Sequence, residues 1–211
     1  MKSDRNCALV VIDMQNGFID EASPCYIKGA RDTIPACVRL INNCRERNIP
    51  VFFVNRLYRA NGSDVEHTRY QSWLAGGKPI SPGCAENISA TSPEEFGISD
   101  RDYYIIKPRY SAFFHTELDL VLRRLGVNTV ILAGTTTPNC IRASCYDGIS
   151  LEYNVVIVSD CTSSVTEEIQ RSNLRDMANV GAQIMTAQEF IDGSAELFDS
   201  VSYVHSSIMK V

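Results

Sequence analysis

The chain has 211 residues, enough for one sizeable α/β core and short for two. Hydrophobic residues make up 45% and charged residues 21%, a balance that builds a packed core and excludes a disordered chain. Twenty Lys and Arg stand against 25 Asp and Glu, a net charge of −5, and no basic run interleaves with aromatics, which argues against nucleic acid as a partner.

The first five residues, Met1-Lys2-Ser3-Asp4-Arg5, place an acid where a signal peptide wants only basic charge, and no adequate apolar region follows. The longest apolar stretch, 8–12, is too short to span a bilayer. A soluble, cytoplasmic protein with no membrane partner is the expectation. Eight cysteines without a C-x-x-C spacing then read mostly as reduced thiols, and no structural metal is expected.

Strand and helix signals alternate along the chain. A first strand is predicted at 7–13 (CALVVID), followed by a helical stripe of Ile34, Cys37, Val38, Ile41 and Cys44. A second strand at 51–55 (VFFVN) leads into residues 59–101, rich in Gly, Pro and Ser and without a convincing strand. A connection that long is a functional lid or a subunit contact. Strand three at 103–107 (YYIIK) precedes a stripe of Leu118, Val121, Leu122 and Leu125. Strand four at 129–133 (TVILA) precedes Ile141, Cys145 and Ile149. Strand five at 155–159 (VVIVS) precedes a weaker stripe of Ile169, Met177 and Ala178, and strand six lies at 182–185 (AQIM). The strands are near-continuously apolar, as strands covered on both faces are. The prediction is a single α/β domain over 1–193, three layers around a central, mostly parallel six-stranded sheet. A tail over 194–211 carries Leu197, Val201, Val204 and Ile208 at helical spacing, and its apolar face needs a partner within the chain or across a dimer. With the long insertion, it points to a homodimer or homotetramer.

Ligands of open parallel sheets bind outside the carboxyl ends of the strands. Strand one ends in Asp13, strand two in Asn55-Arg56, strand three in Lys107 and strand four at Gly134, before Thr135-Thr136-Thr137-Pro138-Asn139-Cys140. A carboxylate, an ammonium and a thiol therefore share one rim. Thr137 reads as a helix N-cap with Pro138 at N1 and Cys140 at N3. A helix N-terminus lowers the pKa of a thiol and offers N–H groups to an oxyanion. If Thr137 Oγ1 caps the Cys140 N–H, that donor is partly occupied. Taken singly, an acid ending a strand caps a turn, a lysine there is a solvated charge, and a cysteine there is an inert core residue. Together they form a nucleophile, its base and an orienting cation. No G-x-S-x-G, G-x-x-x-x-G-K-[ST] or G-x-G-x-x-G occurs. None of His67, His115 and His205 follows a strand.

Three segments carry a resemblance: VVIDMQNGF at 10–18, KPRYSAF at 107–113 and AGTTTPNCIRASCYDG at 133–148. They resemble the isochorismatase-like cysteine hydrolases, in the family's order, with the likeness running from about 6 to 190. The resemblance implies a Rossmann-like fold and an Asp13–Lys107–Cys140 triad. It also implies an oxyanion hole from the Thr136 and Cys140 amides, with a non-proline cis peptide at Thr135–Thr136. Nicotinamidases of that family carry a metal-binding D-x-H after strand two, where this chain reads Asn55-Arg56-Leu57. No metal and no cofactor are therefore expected. The stretch VNRLYRANGSD at 54–64 is closer to the N-carbamoylsarcosine and ureidoacrylate amidohydrolase branch. The implied activity is thioester-forming hydrolysis of a small linear amide, carbamoyl or ureido C–N bond. Vinyl-ether hydrolysis of an isochorismate-like acid and a thiol redox sensor through Cys140 and Cys145 are the alternatives. Phe18, Asn55, Arg56, Tyr110 and Phe113 are the candidate substrate contacts, with Arg56 and Arg59 weighed as partners of a substrate carboxylate.

Overall fold

The computed structural model describes residues 6–82, 89–193 and 208–209. Six strands, β1 (Cys7–Ile12), β2 (Val51–Arg56), β3 (Tyr103–Lys107), β4 (Thr129–Thr135), β5 (Asn154–Ser163) and β6 (Gln183–Met185), form one sheet in the order β3-β2-β1-β4-β5-β6. Every pairing is parallel. β1 lies at the centre, with Leu9 opposite Val51 on one side and Ile12 opposite Gly134 on the other.

Alternate residues of each strand feed opposite faces, as the pleat requires. Leu9, Val11, Phe53, Ile131 and Val156 meet helices α1 (Asn16–Ile19), α2 (Ile34–Glu46) and α7 (Ala187–Ile191). Val10, Ile12, Phe52, Leu132 and Ile157 meet α4 (Leu118–Arg124), α5 (Arg142–Ser150) and α6 (Glu167–Asn179). Each fully buried Val, Leu or Ile is worth roughly 1.5–3 kcal/mol of transfer free energy, so this double-sided core anchors the strand ends that carry the site. The helix starts are set locally: Thr166 Oγ1 accepts from Ile169 N–H, and Thr186 and Glu189 form a reciprocal capping box before α7.

The fold differs from the sequence expectation in three respects. β3 is an edge strand, with Tyr103, Tyr104 and Ile106 exposed, so its apolar run does not mark burial on both faces. β4 and β5 run further than their apolar cores, to Thr135 and Ser163, because Gly134 pairs with Thr162 and Thr135 with Ser163 past a register shift. On α6 the stripe is Met177 with Asn173, not Ala178, which is exposed. Asn173 is buried because Nδ2 donates to Ile169 O and Oδ1 accepts from Arg142 Nη1.

Residues 59–82 and 89–101 carry α3 (Tyr70–Ala75) and a 3-10 turn, Glu94–Phe96. Tyr58, Val65, Trp73 and Ile80 make a satellite core there, with Phe18 packed against it and Trp73 Nε1 donating to Pro79 O at 3.0 Å. That core holds the long connection over the carboxyl ends of the strands. The predicted tail helix over 194–211 lies outside the described residues apart from Ile208 and Met209. Among the described residues, no helix is long and apolar enough to cross a membrane.

Candidate active site

Strand order reverses on the two sides of β1, and the site sits at that switch, outside the carboxyl ends of β1 and β4. Asp13 follows β1 directly with φ +51°, a left-handed conformation that Asp tolerates better than most residues. Beside it β4 approaches so closely that a Cβ on Gly134, whose φ is +119°, would lie 2.0 Å from Ile12 O. Only glycine fits there.

Lys107 ends β3 and is fully buried beneath the site. Its Nζ lies 2.8 Å from Asp13 Oδ2 and donates to Arg109 O at 2.9 Å and to Cys140 Sγ at 3.5 Å. One ion pair and two hydrogen bonds thus hold the ammonium in place. Asp13 is as inaccessible as Lys107, so the pair is an internal ion pair, costly to break from one side.

Cys140 is delivered by the turn after β4. The Thr135–Thr136 peptide is cis. The N-cap is Thr136, not Thr137, and residues Thr137–Ile141 form a π-helical turn with Pro138 at its start. Thr137 is drawn into the turn because its Oγ1 donates to Ser163 O at 3.0 Å. It therefore does not compete for the Cys140 N–H. The bonds that close the turn onto Thr136 O come from the Asn139 and Ile141 N–H groups, not from Cys140. Ser144 Oγ donates to Cys140 O at 2.6 Å and accepts from Ala112 N–H, tying the turn to the segment after β3.

The expected acidic thiol is not what results. Burial pushes the Cys140 thiol up to about 11, and the Asp13 charge and a hydrogen bond between the two groups add to the rise. Lys107 and Arg56 pull it down and are outweighed. The resting group is a neutral thiol held against a carboxylate.

Asp13, Thr136 and Cys140 open onto a cavity of about 300 Å³, and so do Phe18, Arg56 and Tyr110 among the predicted substrate contacts. Asn55 and Phe113 do not. Asn55 points to the other face of β2, where Nδ2 donates to Ser92 Oγ and Tyr104 Oη. Phe113 stacks on Tyr153 at 5.7 Å inside the core beside Gly148. Arg59 is exposed and outside the cavity wall. Cys145 is buried in the α5 core, away from the cavity that Cys140 lines. None of the seven described cysteines is in a disulfide.

Sequence reasoning missed Cys25, Tyr58, Glu66 and Arg69. Cys25, Tyr58 and Arg69 line the cavity, and Glu66 stands behind Arg56. Arg56 Nη1 donates to Tyr58 Oη at 2.6 Å and pairs with Glu66 Oε1. Tyr58 Oη also donates to Glu66 Oε2 at 2.7 Å. The Asn55-Arg56-Leu57 position thus holds a buried ion pair. Among the described residues no group of three or more His, Cys, Asp or Glu side chains could hold a metal ion.

The family model of the isochorismatase domain matches residues 7–189. A probable inactive nicotinamidase of Arabidopsis thaliana is 37% identical over 188 residues, covering 88% of this chain and 95% of that protein. A maleamate amidohydrolase of Pseudomonas putida is 26% identical over 190 residues, covering 88% of this chain and 85% of that protein. Among solved structures, an isochorismatase family protein from Desulfovibrio vulgaris aligns with a TM-score of 0.85 at 35% identity, covering 92% of this chain and 100% of that one.

Proposed function

This chain belongs to the isochorismatase family of hydrolases, and from that premise we propose that it is a cysteine-dependent amidohydrolase acting on a small linear amide, carbamoyl or ureido C–N bond. The observation that carries the reading is the contact of Cys140 Sγ with Lys107 Nζ, itself paired with Asp13, at the base of one small cavity.

Asp13 takes the thiol proton as Sγ attacks the carbonyl carbon, so no thiolate need accumulate beforehand. The developing oxyanion is received by the Thr136 and Cys140 N–H groups, each worth ~2.7–4 kcal/mol in sites of this kind. The tetrahedral adduct collapses to a thioester as Asp13 passes its proton to the departing ammonia or amine. Water, giving a proton to Asp13, then attacks the thioester, and Asp13 returns that proton to the departing sulfur as the acid and the free thiol are released. Lys107 keeps the carboxylate in place throughout and offsets its charge.

The relative named as inactive gives no reason to expect a silent site here, since Asp13, Lys107 and Cys140 are all present and in contact. Nicotinamide is not the proposed substrate, because the metal-binding D-x-H of that branch is replaced by Asn55-Arg56-Leu57. The test is ammonia release over a panel of small amides, ureido acids and carbamoyl amines, with Cys140→Ala as control. Cys140→Ala is expected to abolish turnover while melting within a few degrees of the parent. Full activity in that variant would remove Cys140 as nucleophile. Pyruvate release from an isochorismate-like acid, with no ammonia from any amide, would place the chemistry at a vinyl ether instead.

A further inference from the structure

The end of β5 touches the turn that carries Cys140 at two points, and both fall on Ser163. Ser163 pairs with Thr135 in the sheet, beyond the register shift that brings Gly134 opposite Thr162. Its Oγ donates to Thr135 Oγ1 at 2.9 Å, and its carbonyl accepts from Thr137 Oγ1 at 3.0 Å. Thr135 and Thr137 are the chain neighbours of Thr136, so Ser163 grips the backbone on either side of that residue. Ser163, Thr135 and Thr137 are all buried. Burial matters, because a hydroxyl sealed from water that loses its partner finds no replacement in solvent. On the outer side, a Cβ on Gly29 would lie 3.5 Å from Ser163 Cβ, so the segment before α2 closes over the side chain. β5 is held in turn by α6, whose Gln170 Nε2 donates to Thr162 O at 3.2 Å and to Thr162 Oγ1 at 3.0 Å. Thr136 O accepts from the Asn139 and Ile141 N–H groups, while Thr136 N–H has no protein acceptor among the described residues. That N–H is a spare donor on a residue lining the cavity of Cys140.

We infer that Ser163 is a positioning residue: its hydroxyl, acting through Thr135, aims the Thr136 N–H at the oxygen of the carbonyl that Cys140 attacks. The oxyanion donors come from the amidohydrolase reading, on which this assignment rests; the group that aims them comes from the contacts of β5. A donor stabilises a developing charge only as well as it is aimed before the charge appears. A misplacement of about 1 Å costs on the order of 10²-fold in rate. A serine that only held β4 to β5 would act on stability and on every property of Cys140 alike.

Two reactions of Cys140 separate these roles. Iodoacetamide alkylates sulfur by displacing iodide and builds no charge on a carbonyl oxygen. Propanal and butanal add across their C=O bond, sulfur bonding to carbon while the thiol proton passes to oxygen, and the adduct blocks alkylation. Both reactions are followed at pH 9 by mass spectrometry of the Cys140 peptide. In Ser163→Ala, alkylation without aldehyde is expected to stay within about twofold of the parent, since access and acidity of the thiol are untouched. The aldehyde concentration for half-protection is expected to rise about tenfold, and kcat on the amide panel to fall about 10- to 100-fold with KM within about threefold. Ser163→Thr, which keeps the hydroxyl, is expected to restore aldehyde binding. Thr135→Val removes the acceptor at nearly constant shape, and its defect should not add to that of Ser163→Ala, because both break one hydrogen bond. Unchanged aldehyde affinity in either folded variant, a parallel loss of alkylation and aldehyde binding, or additive defects in the double variant would overturn the assignment and leave the amidohydrolase reading standing. A parent that is alkylated but binds neither aldehyde would remove the oxyanion donors themselves, and the role of Ser163 with them.

Discussion

Replacing Asp13 by Asn should make Cys140 more acidic and the enzyme less active, two changes that a simple picture of thiolate catalysis would not pair. In the parent site, Lys107 Nζ lies 3.5 Å from Sγ but also 2.8 Å from Asp13 Oδ2, so its attraction for a thiolate is largely cancelled. At an effective dielectric of roughly 20, an ammonium and a thiolate at that separation attract by about 5 kcal/mol. If half of this survives relaxation and desolvation, removing the carboxylate lowers the thiol from about 11 toward about 9. At pH 8 the thiolate fraction then rises about a hundredfold. The less basic sulfur gives back about tenfold in intrinsic nucleophilicity, so iodoacetamide should react about tenfold faster. Turnover should nevertheless fall by about 10²–10⁴, because the base that takes and returns the proton is gone. Lys107 would lose its carboxylate inside the protein at a cost of ~3–5 kcal/mol, so urea melts must first establish a folded population. Unchanged or slower alkylation in the folded variant would mean that burial alone holds the proton on sulfur. Retained turnover would strip Asp13 of its role as base.

Three further outcomes follow from other parts of the structure. Burial works against the Glu66 charge but is outweighed by the Tyr58 hydrogen bond and the Arg56 guanidinium, so its pKa is lowered. Glu66 therefore adds stability above the unfolded value of about 4.3 and loses it as pH falls through the lower folded value. Glu66→Gln should flatten the acid limb of urea stability measured from pH 3 to 6; an unaltered slope would refute the assignment. Gly134→Ala, with its Cβ forced against Ile12 O at positive φ, should cost about 3 kcal/mol or more in urea unfolding, and a neutral result would contradict the close approach of β1 and β4. Phe113→Ala should cost ~3–5 kcal/mol of stability with KM within twofold of the parent, whereas a large KM rise in a stable variant would return Phe113 to the substrate wall.

The parts legible in the sequence are those written in local pattern. Near-continuous apolar runs at β1, β2 and β4 mark strands buried on both faces, and the polar residue ending each run marks the rim of the site. Asn55 and Arg56 show where that reasoning overreaches. Adjacent strand residues face opposite ways, so one strand end cannot give both to the same cavity, and only Arg56 is turned toward it. Thr137 fails for a different reason. Its hydroxyl has a partner 26 residues away, at Ser163 O, and a tertiary hydrogen bond overrides the local capping preference. Glu66 and Arg69 lie in a stretch with neither period nor motif, where a charge that lines a cavity and a charge in solvent look the same. The Cys140 thiol is misread because position at the start of a helical turn is local information, and burial beside a carboxylate is not.

The high pKa is itself an argument about how such a site works. Two cations, Lys107 and Arg56, act on Cys140, and the thiol is still raised, so burial together with the Asp13 charge is the larger effect. At neutral pH about one sulfur in ten thousand is a free thiolate, too few to be the reacting form at rest. In the proposed reaction the proton then leaves sulfur within the attack itself, which needs a base beside it, and Asp13 is the acidic group whose charge acts on Cys140. The arrangement has a kinetic return. A sulfur whose conjugate acid is weaker by two pKa units is about tenfold more nucleophilic once deprotonated. The same burial that withholds the thiolate from solvent thus strengthens it at the moment a carbonyl is seated.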